Sequence, residues 1–471
     1  MKNSLLKSFF STGLQALAVQ VLGVLFFFII SIYLPKDSFG IIVSANAVSA
    51  MITAFLSFGM EQVIVRRIAA SSRSDWAAAA FFFHALVGSA VSFCILLFLS
   101  NIFSHHQGIY YLPWYFLAQA LMYMATPLKQ YLNAKQQFAP YGVIAVVSNV
   151  LKVGMGYILL RKGLLTISTA SIVLILAATI EFIALWIYVK SKTGFSLSFR
   201  RLAYYKLIKE SFPLYITAIF DALLKRADAI LLGILATGAI TGDYGFAYKA
   251  FEMATLPIVM VGPIILAKLA RTSLADGYDE TKKHEIKSLF TIEIFLAMLI
   301  PLVLNLLWSP LLDHFTKGKY GTVNGDVIFV LSLCVPLLFI INLLWTLCFT
   351  TRKYKKISII TLVSAVSNLI LNAALIPWLG GVGAAIAFLV TTLIQATFYC
   401  YIVSREIFVL PFGSFLLIFL LGAVAYYVGI TITSVLWLRL IIVIALYITL
   451  SVAFKQIGKA HLYTLKSYLK R

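Results

Sequence analysis

Charged residues are scarce in this chain. Asp, Glu, Lys and Arg make up 12% of its 471 residues, whereas hydrophobic residues make up 62%. A water-soluble domain of this length could not bury so much apolar surface, so the composition predicts a membrane protein. The apolar runs are continuous and lack the alternation of apolar and polar residues that a membrane β-barrel needs. The sequence therefore predicts transmembrane helices.

Acidic residues are fewer still. There are 17 Asp and Glu against 38 Lys and Arg, which gives a formal net charge of +21. Such an excess can indicate a nucleic-acid partner. Here the basic residues lie in short segments between apolar runs, so no nucleic-acid partner is predicted.

Cysteine is also rare, and no catalytic motif is present. The cysteines, Cys94, Cys334, Cys348 and Cys400, lie within apolar runs and show no CxxC spacing. This pattern argues against a disulfide framework, a metal site or redox chemistry. The sequence contains no HExxH, no phosphate-binding P-loop and no Ser-His-Asp order. We therefore expect neither an enzyme nor a resident cofactor. The sequence also lacks a soluble ATPase domain, so any transport would be ion-coupled, facilitated or driven by a partner.

Fourteen apolar runs are close to the roughly 20 residues that a helix needs to cross a bilayer. They lie at 13–34, 39–60, 77–100, 109–128, 138–160, 167–189, 211–235, 242–266, 287–308, 325–349, 357–378, 381–403, 410–431 and 433–454. The first run is not followed by a small-residue cleavage site, so we interpret it as a retained span.

The orientation of the chain follows from its basic residues. They concentrate in alternate loops, and the other loops hold only Lys36, Arg161, Lys162, Lys317 and Lys319. The positive-inside rule then places both termini in the cytoplasm. The even number of spans agrees with this placement.

The spans also show weak internal similarity. Residues 34–40 (LPKDSFG) follow the first span as 241–245 (TGDYG) follow the seventh. The sequence VSNVL at 147–151 in the fifth span corresponds to VSNLI at 366–370 in the eleventh. Matches in corresponding helices predict duplicated halves that share one orientation, because each half has an even number of spans.

The predicted fold is an all-α membrane protein of about fourteen transmembrane helices. The longest inner loop separates two pseudo-symmetric six-helix bundles, an N-terminal lobe at 1–195 and a C-terminal lobe at 196–405. Two extra C-terminal helices and a cytoplasmic tail follow at 406–471.

The seventh span carries an unusual number of charges. At 100° per residue, Thr217, Asp221, Lys225 and Asp228 fall within an arc of about 80°, and Arg226 is predicted to point elsewhere. An ionisable side chain at the bilayer centre costs at least ~2.5–3.5 kcal/mol, so such a group usually faces water or a partner.

Other spans add further ionisable groups. They are Lys249 and Glu252 in the eighth, Lys152 in the fifth, Glu181 in the sixth, Glu61 at the end of the second and Glu293 in the ninth. One interpretation is that these charges are paired and sealed between helices, as Asp221 with Lys225 and Lys152 with Glu181. The other is a hydrated central cavity, which the set favours more than any single member.

Two stretches resemble a known family. They are RADAILLG at 226–233 followed by GDYGFAYK at 242–249, and Asn368 to Asn372 followed by LIP at 375–377 and GGVGAAIA at 380–387. The chain resembles the polysaccharide transporter family of bacterial O-antigen flippases (the Wzx type). That family belongs to the multidrug/oligosaccharidyl-lipid/polysaccharide exporter superfamily.

The resemblance implies a cargo and roles for the charged residues. The cargo would be an undecaprenyl-pyrophosphate-linked oligosaccharide, flipped from the cytoplasmic to the periplasmic leaflet by alternating access. Candidate cargo contacts are Lys152, Lys225, Lys249 and Arg226. Candidates for coupling Na⁺ or H⁺, or for bracing those cations, are Asp221, Asp228, Glu252 and Glu181. A polysaccharide polymerase and a chain-length regulator are candidate partners beside membrane lipid.

Two alternatives remain at this stage. A multidrug exporter of the same superfamily would favour an apolar, acidic cavity without lysines on both lobes. A membrane-embedded polymerase or glycosyltransferase would carry a long periplasmic loop or a catalytic acidic motif, and no outer loop here is long enough.

Overall fold

The computed structural model describes residues 2–70, 75–198, 200–258, 280–458 and 461. Within these ranges the chain is helical, with no β-strand and fourteen α-helices. The helices are α1 (Lys2–Tyr33), α2 (Lys36–Ser57), α3 (Met60–Ala70), α4 (Trp76–Ile102), α5 (Gln107–Ala134), α6 (Phe138–Arg161), α7 (Ile167–Lys192), α8 (Arg201–Leu235), α9 (Gly238–Ala254), α10 (Glu280–Thr316), α11 (Gly325–Thr350), α12 (Tyr354–Glu406), α13 (Phe412–Ile432) and α14 (Leu436–Ala453).

The predicted spans agree with these helices. Ten helices in the described part of the chain are long and apolar enough to cross a membrane. Large apolar side chains such as Val87, Val91 and Phe98 of α4 are more than half exposed, as a lipid-facing surface requires. The all-α membrane fold is confirmed, while residues 259–266 of the eighth predicted span lie outside the described residues.

The eleventh and twelfth predicted spans form one helical run, α12, with a break at Gly380. The backbone of Gly380 is non-helical, with φ 54° and ψ −129°. A positive φ is strained for residues with a Cβ and is readily adopted by glycine. Gly380 therefore joins the two arms of α12 without an intervening loop.

Several helices extend beyond the predicted spans, and two of them, α8 and α5, bear on the site. Helix α8 begins at Arg201, whereas the span was predicted from 211. Helix α5 continues to Ala134, so Lys129, which the prediction assigned to a cytoplasmic loop, is a helical residue. Helices extend beyond their apolar stretch where polar side chains find partners, and Lys129 has one in Glu181.

The described chain forms two compact units, 1–242 and 243–471. In the first unit, α5 packs on α2, α4 and α7, and α8 packs on α2, α3 and α4. Its core includes Phe81, Leu128 and Tyr131, each fully buried. In the second unit, α11 packs on α10 and α12, and Tyr399 and Tyr447 are fully buried in its core. The lobe boundaries 1–195, 196–405 and 406–471 stay predictions.

The segment 34–40 contacts the start of α9, just before the similar segment at 241–245. The Asp37 Oδ1 atom accepts a hydrogen bond of 2.8 Å from the backbone N–H of Ala239, at the start of α9. The backbones also touch, because a Cβ on Gly40 would lie 1.9 Å from the carbonyl oxygen of Gly238. Asp37 thus caps the beginning of α9, and Gly40 permits the close approach.

Candidate functional site

A cavity of about 450 Å³ lies within the first unit, between α2, α3, α5 and α8. The side chains in its lining that carry a polar or charged group are Thr53, Ser57, Glu61, Gln119, Tyr123, Thr126, Lys129, Asp221, Lys225 and Arg226. The remaining lining residues are alanines and Met122. Small side chains leave the space open, and the polar groups make it suitable for water and for a charged ligand.

Each helix presents one face to this cavity. The lining residues recur three or four positions apart, as in Ala50, Thr53 and Ser57 of α2 or Ala218, Asp221 and Lys225 of α8. Side chains at that spacing lie one above the other on a helix. The polar face of each helix is therefore turned inward, which offsets the cost of polar groups in a membrane.

Asp221 and Lys225 form an ion pair on α8. The Lys225 ammonium lies 2.8 Å from the Asp221 carboxylate, as the i,i+4 spacing predicted, and the two side chains are 61% and 52% exposed. Exposed pairs of this kind contribute about 0–1 kcal/mol. An incoming anion can therefore compete with Asp221 for Lys225 at little cost.

Arg226 lies in the same lining, next to Lys225. The prediction that Arg226 points elsewhere is corrected by this placement. The side of α8 that faces the cavity extends from Asp221 to Arg226. The predicted polar face, from Thr217 to Lys225, did not reach as far as Arg226. Among the described residues Arg226 has neither a hydrogen-bond nor a carboxylate partner.

Lys129 occupies the α5 side of the cavity, and a buried carboxylate holds it there. Its ammonium lies 2.6 Å from the Glu181 carboxylate. The other Glu181 oxygen accepts a 2.6 Å hydrogen bond from the Ser148 hydroxyl. Glu181 and Ser148 are each 2% exposed, whereas the Lys129 side chain is 23% exposed. The sequence suggested Lys152 as the ion-pair partner of Glu181, but in the structure that partner is Lys129.

Two other predicted residues lie outside this lining. The Lys152 ammonium lies 2.6 Å from the Asn149 amide oxygen and 5.5 Å from the centre of the Phe26 ring, where α6 packs on α1. Asp228 is 1% exposed, and its Oδ1 atom accepts a 2.8 Å hydrogen bond from the backbone N–H of Ala229. Their proposed roles stay predictions.

Lys249 and Glu252 belong to the second unit. Their charged groups lie 2.6 Å apart on α9, and their side chains are 29% and 38% exposed. They are neighbours on one helix face, as their spacing predicted. Their roles in cargo contact and ion coupling stay predictions.

The sequence prediction missed Lys129, Gln119 and Thr126 as cavity residues. A signal was present, because these residues recur at helical spacing along one face of α5. The Gln119 amide nitrogen lies 3.4 Å from the Thr53 hydroxyl across the cavity, and the Gln130 amide contacts Glu61 at 3.3 Å. In the described part of the chain, no group of three His, Cys, Asp or Glu side chains is arranged to hold a metal ion.

The sequence matches the family described as "Polysaccharide biosynthesis protein" over residues 5–267. The chain belongs to that family. A comparison with curated proteins finds no match.

Solved structures share the fold. Lipid II flippase MurJ, in an inward closed conformation, is 15% identical with a TM-score of 0.75, and the match covers 94% of this chain and 98% of that one. An inward-facing multidrug resistance MATE family transporter of the MOP superfamily is 14% identical with a TM-score of 0.65, covering 82% and 95%.

A third structure of this fold is a MOP superfamily transporter from Pyrococcus furiosus, for which a binding pocket of reverse polarity suggests a different function. It is 12% identical with a TM-score of 0.59, and the match covers 84% of this chain and 94% of that one. At these identities the likeness establishes the fold, which is that of MOP superfamily transporters and flippases. This polysaccharide biosynthesis family member is therefore a multi-pass membrane protein with a transporter fold.

Proposed function

We propose that this protein flips an undecaprenyl-pyrophosphate-linked oligosaccharide, an O-antigen or related repeat unit, from the cytoplasmic to the periplasmic leaflet by alternating access. One observation carries the proposal. Within a transporter fold of a polysaccharide biosynthesis family, Lys129, Lys225 and Arg226 line one cavity from two helices. The family membership supports a polysaccharide precursor as the cargo.

The three cations suit a pyrophosphate. Arg226 offers a planar fork of N–H donors that matches phosphate oxygens, and lysine ammonium groups add compact charges. Lys225 is held by an exposed pair that is easily exchanged, and Arg226 has no described partner. Lys129 is held more firmly by Glu181, so we assign Lys129 to orient the anion and the two α8 residues to capture it.

The carboxylates suit a coupling ion. Glu61 and Asp221 line the cavity, and Glu181 lies behind Lys129. We propose that Na⁺ or H⁺ exchanges at Asp221, Asp228, Glu181 or Glu252 as the protein alternates between its two faces. When Lys225 leaves Asp221 to bind the cargo, the Asp221 carboxylate becomes available to such an ion.

We also propose that the protein lies in a bacterial inner membrane with both termini in the cytoplasm. The distribution of basic residues supports the cytoplasmic termini, and the resemblance to bacterial O-antigen flippases supports the inner membrane. A flippase of this kind supplies repeat units to a polysaccharide polymerase and its chain-length regulator on the periplasmic side, so these are the partners we expect.

Deletion of the gene in its own host tests the proposal, with surface polysaccharide read on a silver-stained gel. We expect loss of long-chain polysaccharide and accumulation of lipid-linked single repeat units, restored by the wild-type gene. Complementation with Lys225→Gln and Arg226→Gln together should fail. The matched control replaces another neighbouring pair, Arg161→Gln and Lys162→Gln, and should restore the polysaccharide.

The second candidate is a multidrug exporter, which the carboxylates of Glu61 and Asp221 in the cavity favour, because they could hold an organic cation. The same deletion separates the two. Intact surface polysaccharide together with new sensitivity to cationic drugs would support the exporter and overturn the flippase.

A further inference from the structure

The second unit contains a larger and more apolar cavity, separate from the site described above. Its volume is about 700 Å³. Side chains of α10, α11, α12 and α13 line it, and Phe290, Leu337, Ile340 and Leu393 represent its apolar part. The volume falls in the range of about 300–1,000 Å³ that is typical of small-molecule sites. We name this cavity the α12 groove.

Polar groups gather at one end of the α12 groove. Tyr401, Ser404 and Arg405 belong to its lining, on the last turns of α12. The Arg405 guanidinium donates a 2.5 Å hydrogen bond to the Tyr401 hydroxyl. The Ser404 hydroxyl is buried and has no hydrogen-bond partner among the described residues. The groove is thus amphiphilic. Its walls are mostly apolar side chains, and its polar end contains the Ser404 hydroxyl, which has no hydrogen-bond partner among the described residues.

More basic side chains surround this mouth. The Lys287 ammonium lies 6.0 Å from the centre of the Phe408 ring, and Phe408 is three residues after Arg405. Glu406, the residue after Arg405, binds two lysines, Lys353 at 2.7 Å and Lys356. The carboxylate beside Arg405 is therefore already neutralised. The mouth keeps an excess of positive charge.

The excess survives a count of the nearby acidic residues. Glu285 is exposed on α10, but it lies two positions from Lys287 and so about 200° round the helix. Arg405 belongs to the groove lining, and Lys287 lies one turn before the lining residue Phe290 on α10. Glu293 lies one turn after Phe290 and so two turns from Lys287, toward the apolar part of the groove. Anionic lipid surfaces attract clusters of Lys and Arg.

We propose that the α12 groove binds an anionic phospholipid of the surrounding membrane. One acyl chain would lie against Phe290, Leu337 and Leu393. The phosphate would accept hydrogen bonds from Arg405 and Ser404 at the mouth. The charge complementarity and the amphiphilic lining favour this occupant over a protein, because docked proteins cover a broader and flatter surface.

Native mass spectrometry of the purified full-length protein tests the assignment, with phosphatidylglycerol and phosphatidylcholine of identical acyl chains as probes. We expect phosphatidylglycerol adducts at about tenfold lower lipid concentration than phosphatidylcholine adducts. Arg405→Gln should remove most of that preference. Arg201→Gln, an exposed arginine in the first unit, is the matched control and should preserve the preference.

A second pair of variants tests the apolar part of the groove. Thr397→Trp places a large ring in the lining and should reduce adducts of both lipids. Phe398→Trp changes the next residue, which is exposed and outside the lining, and should leave adducts unchanged. Equal binding of the two lipids, or an unaltered preference in Arg405→Gln, would overturn the proposal.

A competition experiment identifies the source of the bound phosphate. A short-chain polyprenyl pyrophosphate should leave phosphatidylglycerol adducts in place when both are present at equal concentration. If the pyrophosphate displaces phosphatidylglycerol and Arg405→Gln abolishes that displacement, the groove belongs to the polyprenyl lipid, and the phospholipid assignment is wrong. The outcome does not depend on whether the protein flips an oligosaccharide.

Discussion

The Lys129 ammonium lies 2.6 Å from the Glu181 carboxylate, and this contact joins the wall of the cavity to a side chain that is 2% exposed. The two partners differ in their access to water. Removal of Lys129 leaves a buried carboxylate without a counter-charge, whereas removal of Glu181 leaves an ammonium that can turn into the cavity.

This asymmetry predicts a ranking of stability. Lys129→Ala should lower the free energy of unfolding by about 3–5 kcal/mol, the usual cost of an uncompensated buried charge. Glu181→Gln should cost about 1–3 kcal/mol, because one hydrogen bond to a charged group is lost. In thermal unfolding in detergent, wild type should have the highest Tm, Glu181→Gln a lower one and Lys129→Ala the lowest. Lys162→Ala, on an exposed lysine, is the control, and the reverse order of the two variants would contradict the account.

The cations of α8 should matter for transport and little for stability. Lys225→Gln or Arg226→Gln should each lower the initial rate of cargo translocation by about 10- to 100-fold, since a lost hydrogen bond to a charged group costs about 1.5–3 kcal/mol. The Tm should stay near the wild-type value, because the Lys225 pair is exposed. Arg161→Gln is the matched control. A large drop in Tm with unaltered transport would assign these residues a structural role.

The close contact between Gly40 and Gly238 should leave no room for a side chain at position 40. Gly40→Ala would set a Cβ 1.9 Å from the Gly238 carbonyl oxygen, so the backbone must move and the variant should unfold at lower temperature. The matched control is Gly154→Ala, where a Cβ meets nothing within 4 Å. That change should leave the Tm unchanged or raise it, since alanine favours a helix over glycine by about 0.5–1 kcal/mol. Equal Tm values for both variants would contradict the close contact.

A cluster of charged side chains just before the seventh predicted span should make the free energy of unfolding depend on pH. Glu210 of α8 binds Arg66 and Arg67 of α3, with 2.7 Å between the Arg67 Nε and a Glu210 oxygen. Burial raises the pKa of Glu210, but the hydrogen bonds and charges of Arg67 and Arg66 outweigh burial, so the net pKa lies below its usual value.

The sign of this dependence follows from the lowered pKa. A carboxyl whose pKa is lower in the folded state stabilises the fold at pH values above its unfolded pKa, and the stabilisation is lost as the pH falls through its folded pKa. Glu210→Gln should therefore have a lower Tm than wild type at about pH 7, and the difference should shrink as the pH falls below the ordinary glutamate pKa of about 4.3. A difference in Tm that does not shrink as the pH falls would contradict this role of the charge.

Much of the fold could be predicted from the sequence, because a bilayer imposes length and polarity on every span. Helix ends were harder. Lys129 was assigned to a loop because a charge normally ends a span, yet a buried partner on α7 holds it inside α5. That partner is distant in sequence, so hydropathy carries no signal for it.

The candidate site was predicted in part. The pairs Asp221–Lys225 and Lys249–Glu252 follow from spacing on one helix, and both are present. The inward position of Arg226 depends on how α8 is rotated against α2 and α5, which packing decides and the sequence does not display. The same holds for Glu181, whose partner could be chosen only once α5, α6 and α7 were placed together.

We propose above all that this chain moves a lipid-linked oligosaccharide with the cations of its first-unit cavity. The most direct measurement is translocation of an undecaprenyl-pyrophosphate-linked oligosaccharide across proteoliposomes that contain the purified protein. The account predicts translocation by the wild type and by Arg161→Gln with Lys162→Gln, and near-background rates for Lys225→Gln with Arg226→Gln. Wild-type rates equal to those of protein-free liposomes, or full activity in the Lys225 and Arg226 double variant, would contradict it.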